Sequence, residues 1–213
     1  MGIATRSGSD ATSNRETMKI LGIDVSTSNI GLCVIDTGQS QMNRVCEAYG
    51  LPLSKVRGLY TKSCEFRDHI QRISQDHIIN VIVVEEPLQS FRSRMSSAGT
   101  IALLNRFNGI ASYIARSELR CPLTLVNSVS ARKSVGCAID RKSTVETKEQ
   151  VLQWAMARPE MEMYQWPTKV LKGGPDKGKT RRKEICYDIA DAFVVAVWGA
   201  DVLKIDDLDD IVV

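Results

Sequence analysis

One run of residues, 79–84, constrains the fold of this 213-residue chain more than any other segment. It reads Ile-Asn-Val-Ile-Val-Val, so it is almost wholly apolar and rich in β-branched side chains. A strand of this composition has to be covered on both faces, as happens at the centre of a parallel or mixed sheet. The run therefore predicts an α/β fold in which residues 79–84 form a central strand.

The remaining elements are predicted from apolar patterns and from residues that begin or end helices. Strands are predicted at 19–24, 30–35, 44–51, 79–84 and 123–126, and helices at 60–78, 96–119, 144–157 and 183–202. A short turn joins the first two strands, so we expect them to pair antiparallel. Ser96 and Ser97 are candidate caps of the second helix, and Ser143 or Thr147 of the third. This order predicts a five-stranded mixed sheet flanked by helices.

The length of the chain predicts one domain with flanking segments. Residues 1–17 are polar and lack apolar periodicity, so we expect a disordered leader. The folded domain is expected over 18–205, followed by an acidic tail at 206–213. Residues 159–180 are rich in glycine around Pro175, which predicts a mobile loop.

Hydropathy and cysteine usage indicate the environment of the chain. No apolar stretch approaches the roughly 20 residues that span a bilayer, and the start lacks the apolar core of a secretory signal. The six cysteines show no paired C-x-x-C spacing, which favours reduced thiols. We therefore expect an intracellular protein, cytoplasmic or nucleoid-associated, without a membrane partner. Arg6 and Arg15 among hydroxyl residues leave an organelle transit peptide open, although Asp10 and Glu16 argue against it.

Carboxylates stand at the ends of three apolar elements. Asp24 ends the first strand, and Glu85 and Glu86 follow the central strand. Asp188 and Asp191 are three residues apart near the start of the last helix, so they share one helix face. Because neighbouring strands lie about 4.8 Å apart, these side chains can converge on one small volume.

A carboxylate cluster of this kind predicts a metal site. Crowded carboxylates repel one another unless cations compensate them, and hard oxygen ligands suit Mg²⁺ or Mn²⁺. Two such ions about 4 Å apart activate water and stabilise the leaving oxygen of a phosphodiester, which is nuclease chemistry. Taken singly, each carboxylate is also explained as a turn former or as a residue favoured by the helix dipole. His69 and His77 lie away from the cluster in sequence, so a histidine-based site is not favoured.

Positive charge is concentrated in one segment. The net charge of +3 does not by itself indicate a nucleic-acid partner. Residues 168–183, however, carry seven basic side chains against Asp176 alone, namely Lys169, Lys172, Lys177, Lys179, Arg181, Arg182 and Lys183. A local basic patch is what a phosphate backbone requires, so Lys179, Arg181 and Arg182 are predicted to contact DNA.

The motifs around the carboxylates resemble those of RuvC-like Holliday junction resolvases, in the ribonuclease H-like superfamily. Residues 20–31, Ile-Leu-Gly-Ile-Asp-Val-Ser-Thr-Ser-Asn-Ile-Gly, resemble the opening strand and turn of that family. Residues 83–87, Val-Val-Glu-Glu-Pro, resemble its central strand with the catalytic glutamate, and residues 188–192, Asp-Ile-Ala-Asp-Ala, resemble its closing helix. The matches come in family order over residues 18–202.

This resemblance implies a ribonuclease H-like fold and a Mg²⁺-dependent crossover junction endodeoxyribonuclease. It implies that Asp24, Glu85, Asp188 and Asp191 are catalytic ligands of two Mg²⁺ ions, for which Mn²⁺ can substitute. Glu85 is preferred over Glu86 because it directly follows the apolar strand, but both remain open. A four-way DNA junction as substrate and a homodimer with two active sites are implied as well.

Further DNA contacts are suggested by weaker matches. Residues 127–136 resemble the segment after the last strand, and the region around Lys148 resembles the start of the next helix, which implies phosphate contacts. The residues concerned are Arg132, Lys133 and Lys148, with solvated surface residues as the alternative. A polar loop before the second helix carries Phe91, Arg92 and Arg94. An exposed aromatic beside arginines can stack on bases or wedge between them, unless Phe91 belongs to the core.

The dimer surface and the competing functions are less constrained. The helix at 96–119 has apolar residues on several sides, although packing on the sheet explains most of them; they are Ile101, Leu104, Phe107, Ile110 and Tyr113.

Residues 22–27 also resemble the first phosphate loop of sugar kinases and actin-like ATPases, but no second loop is visible. Other ribonuclease H-fold nucleases, acting on RNA/DNA hybrids or flaps, share the metal chemistry. A non-catalytic junction-binding module is the non-enzymatic alternative.

Overall fold

A five-stranded sheet forms the centre of the computed structural model, which describes residues 17–87 and 98–204. The strands of this sheet are β1 (Lys19–Val25), β2 (Asn29–Asp36), β3 (Val45–Pro52), β4 (Val81–Glu85) and β5 (Leu123–Val126). The helices are α1 (Leu59–Asp76), α2 (Ala98–Leu119), α3 (Ser128–Ser134), α4 (Thr147–Met156) and α5 (Ile185–Val202). A separate hairpin consists of β6 (Thr168–Val170) and β7 (Thr180–Arg182), and short 3₁₀ helices lie at Gln41–Asn43 and Pro159–Met161.

The strand order is β3-β2-β1-β4-β5, which confirms the predicted five-stranded mixed sheet. Strands β1, β2 and β3 pair antiparallel, whereas β4 runs parallel to β1 on one side and to β5 on the other. Residues 81–84 are fully buried between these neighbours, as their apolar, β-branched sequence predicts. The fold class predicted from the sequence is therefore confirmed.

Helices cover both faces of the sheet. On one face, α5 packs against β1 and β2 with α3 and α4 beside it, and on the other face lie α1 and α2. In the described residues, no helix is both long enough and apolar enough to cross a membrane.

Two glycines allow α5 to approach the backbone of the sheet. A Cβ atom at Gly22 would lie 2.6 Å from the amide nitrogen of Ala196, which is too close for any side chain. A Cβ atom at Gly31 would overlap the backbone carbonyl of Asp188. Because Gly31 is the register partner of Asp24, this close approach brings the start of α5 next to the end of β1.

The structure differs from the sequence analysis in one helix that was not predicted and in the caps of α4. A short helix, α3, follows β5 directly, and its N-cap Asn127 accepts hydrogen bonds from the amides of Val129 and Ser130. Neither Ser143 nor Thr147 caps α4, which begins at Thr147 after Glu146 without a side-chain cap. Ser143 instead accepts a hydrogen bond from the amide of Val145, which closes a turn before the helix. Such turns compete with capping because the same hydroxyl serves either role.

The segment predicted as a mobile loop, 159–180, contains regular structure. It includes the 3₁₀ turn at 159–161, the whole of β6 and the first residue of β7, Thr180. Strands of three residues whose side chains are exposed leave no apolar alternation, so the sequence pattern did not reveal them. Four predictions concern residues that the structure does not describe. They are the leader except for Thr17, the acidic tail, the caps Ser96 and Ser97, and the loop with Phe91, Arg92 and Arg94.

Glu160 is the centre of a buried ion network that joins the two 3₁₀ turns. Its carboxylate accepts hydrogen bonds from Arg44 at 2.7 Å and from Arg158 at 2.8 Å, and its side chain is 0% exposed. Removing the charge leaves two largely buried guanidinium groups without their counter-ion. We expect Glu160→Gln to lower the free energy of unfolding by about 3 kcal/mol, as measured by urea titration. The exposed neighbour Glu162→Gln is the control, and equal unfolding midpoints for the two variants would contradict the role of the network.

Candidate metal centre

The ends of two parallel strands and the start of one helix meet at the edge of the sheet. Asp24 lies near the end of β1, and Glu85 is the last residue of β4. The parallel register pairs Ile23 with Val84, so Asp24 and Glu85 occupy corresponding positions on neighbouring strands. Asp188 and Asp191 lie in the first two turns of α5, which rests on this part of the sheet. The structure thus brings together the carboxylates that the sequence singled out.

Burial and mutual repulsion act on these carboxylates together. Burial raises the pKa of Asp24 well above its usual value, and the charges of Glu85, Asp191 and Asp188 raise it further. Burial and the charge of Asp191 raise the pKa of Glu85 to about 7. Burial raises the pKa of Asp188 to about 6, with a contribution from Asp191. A cluster whose members resist ionisation in this way requires additional positive charge to hold them as carboxylates.

Arg132 supplies part of that positive charge. Its Nη2 donates a hydrogen bond to Oδ1 of Asp191 at 2.7 Å, and both side chains are 16% exposed. Its charge opposes the rise in the pKa of Asp24, Glu85 and Asp191. The Nε atom of Arg132 is buried and has no hydrogen-bond partner within the part of the chain that the structure describes. Arg132, predicted as a phosphate contact, therefore lies inside the carboxylate cluster.

The turn between β1 and β2 holds the carboxylate of Asp188. Asn29 donates from Nδ2 to Oδ2 of Asp188 at 3.1 Å, which opposes the rise in the pKa of Asp188. The turn is closed because Ser26 Oγ accepts from the amide of Asn29 and donates to its carbonyl. The ammonium of Lys62, on α1, donates to the carbonyl of Thr27 in the same turn.

The end of β4 is held in a similar way. The Ser128 side chain hydrogen-bonds to the carboxylate of Glu85 and opposes the rise in its pKa. Buried Asn108, on α2, donates to the backbone carbonyl of Glu85 at 3.0 Å. The sequence analysis did not assign roles to Asn29, Ser128 or Asn108. Asn29 and Ser128 lie within the quoted motifs, whereas Asn108 stands in the middle of a helix and shows no local signal.

The two glutamates after the central strand have different surroundings. The charge of Glu85 acts on Asp24, and Glu85 is itself partly buried and subject to the charge of Asp191. Glu86 lies one residue beyond the strand, and its amide donates to the carbonyl of Val126 at 2.8 Å. This geometry supports the preference for Glu85 as the ligand.

The donors at this site fit a hard divalent cation. They are anionic oxygen atoms on rigid elements, and burial together with their mutual charges raises the pKa values of Asp24, Glu85 and Asp188, which a cation would oppose. Within residues 17–87 and 98–204, no three Asp, Glu, His or Cys side chains are already gathered into a metal-binding set.

The other predicted DNA contacts that the structure describes are exposed side chains. Lys133 is exposed on α3, and Lys148 Nζ lies 5.1 Å from the centre of the Tyr187 ring. Lys179 forms an ion pair with Asp176, and Arg181 and Arg182 lie on β7. Phe91, Arg92 and Arg94 belong to 88–97, outside the described residues.

The raised pKa of Glu85 predicts how stability depends on pH. Because its folded pKa of about 7 exceeds the ordinary value of 4.5, the folded state binds more protons than the unfolded state between these values. The free energy of unfolding of the metal-free protein should therefore fall as pH rises through this window, by on the order of 2 kcal/mol relative to Glu85→Gln. Urea titrations in EDTA between about pH 5 and pH 8 measure this difference. Parallel pH profiles for the two proteins would contradict it.

Among known proteins, similarity to this chain was found for solved structures. No family model and no curated protein sequence matches the chain. Among solved structures, Thermus thermophilus RuvC is similar with a TM-score of 0.54 at 14% identity, covering 86% of this chain and 95% of that one. T. thermophilus RuvC in complex with a Holliday junction substrate gives 0.54 at 12% identity, covering 86% and 94%.

A third similar structure is the yeast mitochondrial Holliday junction resolvase Ydc2. Its TM-score is 0.56 at 17% identity, and the match covers 87% of this chain and 78% of that one. At such identities the likeness shows the fold. The predicted ribonuclease H-like fold of the RuvC-like resolvases is thereby confirmed.

Proposed function

We propose that this chain is a metal-dependent endonuclease that resolves four-way DNA junctions. The observation that carries the proposal is the meeting of Asp24, Glu85, Asp188 and Asp191 at one edge of the sheet, where their charges act on one another. The shared fold with resolvases, one of them solved with a junction, supports this choice of substrate.

The four carboxylates would hold Mg²⁺, or Mn²⁺ in its place, as two ions per site. Bound there, the ions supply an activated water and stabilise the leaving oxygen of the phosphodiester. The protein's own contribution is rigidity: Asn29 and the Ser26 turn orient Asp188, and Ser128 orients Glu85. Burial keeps bulk water from screening the charges of these groups.

Arg132 has a second role in this proposal. It forms an ion pair with Asp191. A divalent cation held by the carboxylates would compete for Asp191, because it carries more charge than a guanidinium. Arg132 would then be available for a phosphate of the bound DNA, as the resemblance implied, and its planar donors suit a phosphate. Exposed Lys133 and Lys148 are proposed as further phosphate contacts, and Phe91, Arg92 and Arg94 stay predictions from the sequence.

A homodimer would place two such centres on opposed strands of a junction. Of the apolar residues considered on α2, Phe107 is buried and belongs to the core, whereas Tyr113 is 74% exposed. Leu103 on the same helix is 42% exposed, and Leu125 on the neighbouring edge strand β5 is 49% exposed. These side chains form the surface that we propose for contact with a second copy.

Cleavage of a panel of labelled nucleic acids in Mg²⁺ tests the proposed function. The panel contains a four-way junction, a duplex of the same sequence, a flap and an RNA/DNA hybrid. We expect paired, symmetric cuts in the junction alone. Preferential cleavage of the hybrid or flap would assign the chain to another class of ribonuclease H-fold nuclease, and junction binding without any cleavage would indicate a non-catalytic module.

A further inference from the structure

The β6–β7 hairpin presents positive charge in an arrangement that folding alone does not explain. All six residues of its two strands are exposed. The register places Lys169 directly opposite Arg181, and like charges in that position destabilise a strand pair. An isolated two-stranded hairpin is already marginally stable in water. The hairpin therefore carries charge at a cost to its own stability, which an external anion would offset.

A groove lies between this hairpin and the body of the protein. Its volume is about 500 Å³, and it is lined by Glu149, Thr168, Thr180, Arg181, Arg182 and Tyr187. The two threonine hydroxyls and the two guanidinium groups are hydrogen-bond donors of the kinds that contact phosphates. The groove thus combines neutral and charged donors on one wall.

The carboxylate in the groove leaves Arg182 able to bind an anion. Tyr187 donates its hydroxyl to Glu149 at 3.0 Å, and Gln153 donates to the same carboxylate at 3.2 Å. Arg182 Nη1 forms a long ion pair with Glu149 at 3.8 Å, beyond hydrogen-bond distance, and its side chain is 44% exposed. Neutral donors supply the hydrogen bonds of Glu149, so the exposed guanidinium of Arg182 can hydrogen-bond to an anion.

The groove adjoins the carboxylate cluster without being part of it. Tyr187, in the groove, immediately precedes Asp188 on α5, and successive residues of a helix point in directions about 100° apart. Lys148 lies over the ring of Tyr187 and extends the positive surface. A strand that crosses the cluster can continue into the groove.

We propose that this groove binds the sugar-phosphate backbone of a DNA arm next to the site of cleavage. The inference rests on the proposed function, since it takes DNA as the ligand. It assigns the basic hairpin, whose contacts with DNA were predicted from charge alone, to binding of the substrate backbone. The hairpin acts through phosphate contacts, so its contribution is electrostatic and independent of base sequence.

The salt dependence of junction binding tests this assignment. Binding of a fluorescent four-way junction is measured by anisotropy in EDTA, where no cleavage occurs, over a range of salt concentrations. Loss of two phosphate contacts in Arg181→Gln/Arg182→Gln should reduce the slope of log K against log salt by about 1.8. At about 0.1 M salt this corresponds to roughly 10- to 60-fold weaker binding. Glu149→Gln, which removes the negative charge from the groove, should tighten binding.

A matched pair of arginines elsewhere provides the control. Arg67, on α1, and Arg120, before β5, are exposed, and Arg67→Gln/Arg120→Gln removes the same charge from the chain. We expect this variant to keep the wild-type slope, with thermal unfolding confirming that each protein is folded. Equal loss of slope in both double variants, or none in the hairpin variant, would overturn the assignment. If the hairpin variant loses slope but the wild-type protein cuts no junction in Mg²⁺, the groove binds DNA and the proposed nuclease function is wrong.

Discussion

Replacing Asp24 with Asn should slow junction cleavage by about 1,000-fold or more, while junction binding stays equal or becomes tighter. Asp24 is partly buried, and the charges of the other three carboxylates all act on it. Its loss removes an anionic metal ligand and about 4 kcal/mol or more of transition-state stabilisation, and each 1.36 kcal/mol is a factor of ten. Binding is expected to persist because a neutral amide repels the DNA phosphates less than a carboxylate does.

Single-turnover cleavage and anisotropy measure the two effects separately. Asp36→Asn is the control, since Asp36 also ends a strand of the sheet but lies at the opposite end of β1, paired with Lys19. We expect Asp36→Asn to cut at the wild-type rate. Normal cleavage by Asp24→Asn would show that the carboxylate cluster is not the catalytic centre.

The second large effect is a difference in cleavage rate between substitutions of two adjacent glutamates. Glu85→Gln should reduce the cleavage rate by about 100- to 1,000-fold, whereas Glu86→Gln should reduce it less than about fivefold. Glu85 is partly buried and its charge acts on Asp24, while Glu86 lies beyond the end of β4. The two substitutions are chemically identical and one residue apart, so each controls for the other.

Rates are compared at saturating Mg²⁺, after thermal unfolding has shown that both variants are folded. A larger loss in Glu86→Gln than in Glu85→Gln would mean that the ligand is the second glutamate, in disagreement with the geometry of the strand. Equal cleavage rates in both variants and the wild type would mean that neither glutamate takes part in catalysis.

The sequence predicted the sheet and its acidic residues because the signals for them are local. Residues 81–84 are apolar on both faces, so their strand had to be central, and carboxylates that directly follow such strands lie at one edge of the sheet. The spacing of Asp188 and Asp191 predicted a common helix face for the same reason. The glycines at 22 and 31, which bring that helix close, were part of the quoted motif.

Other features depend on contacts between distant segments and left no local signal. The ion pair of Arg132 with Asp191 joins residues 59 positions apart, and its formation depends on how α3 packs against α5. Asn108 donates a hydrogen bond to the carbonyl of Glu85 from another element, although in sequence it is only a polar residue in a helix. The hairpin was missed because three-residue basic strands carry no apolar alternation.

Anomalous diffraction from crystals soaked in Mn²⁺ tests the central claim most directly, because it locates the metal without reference to activity. The account predicts Mn²⁺ bound among Asp24, Glu85, Asp188 and Asp191, with Arg132 displaced from Asp191. An anomalous map without a peak at these carboxylates, or with Mn²⁺ bound only elsewhere on the protein, would contradict it.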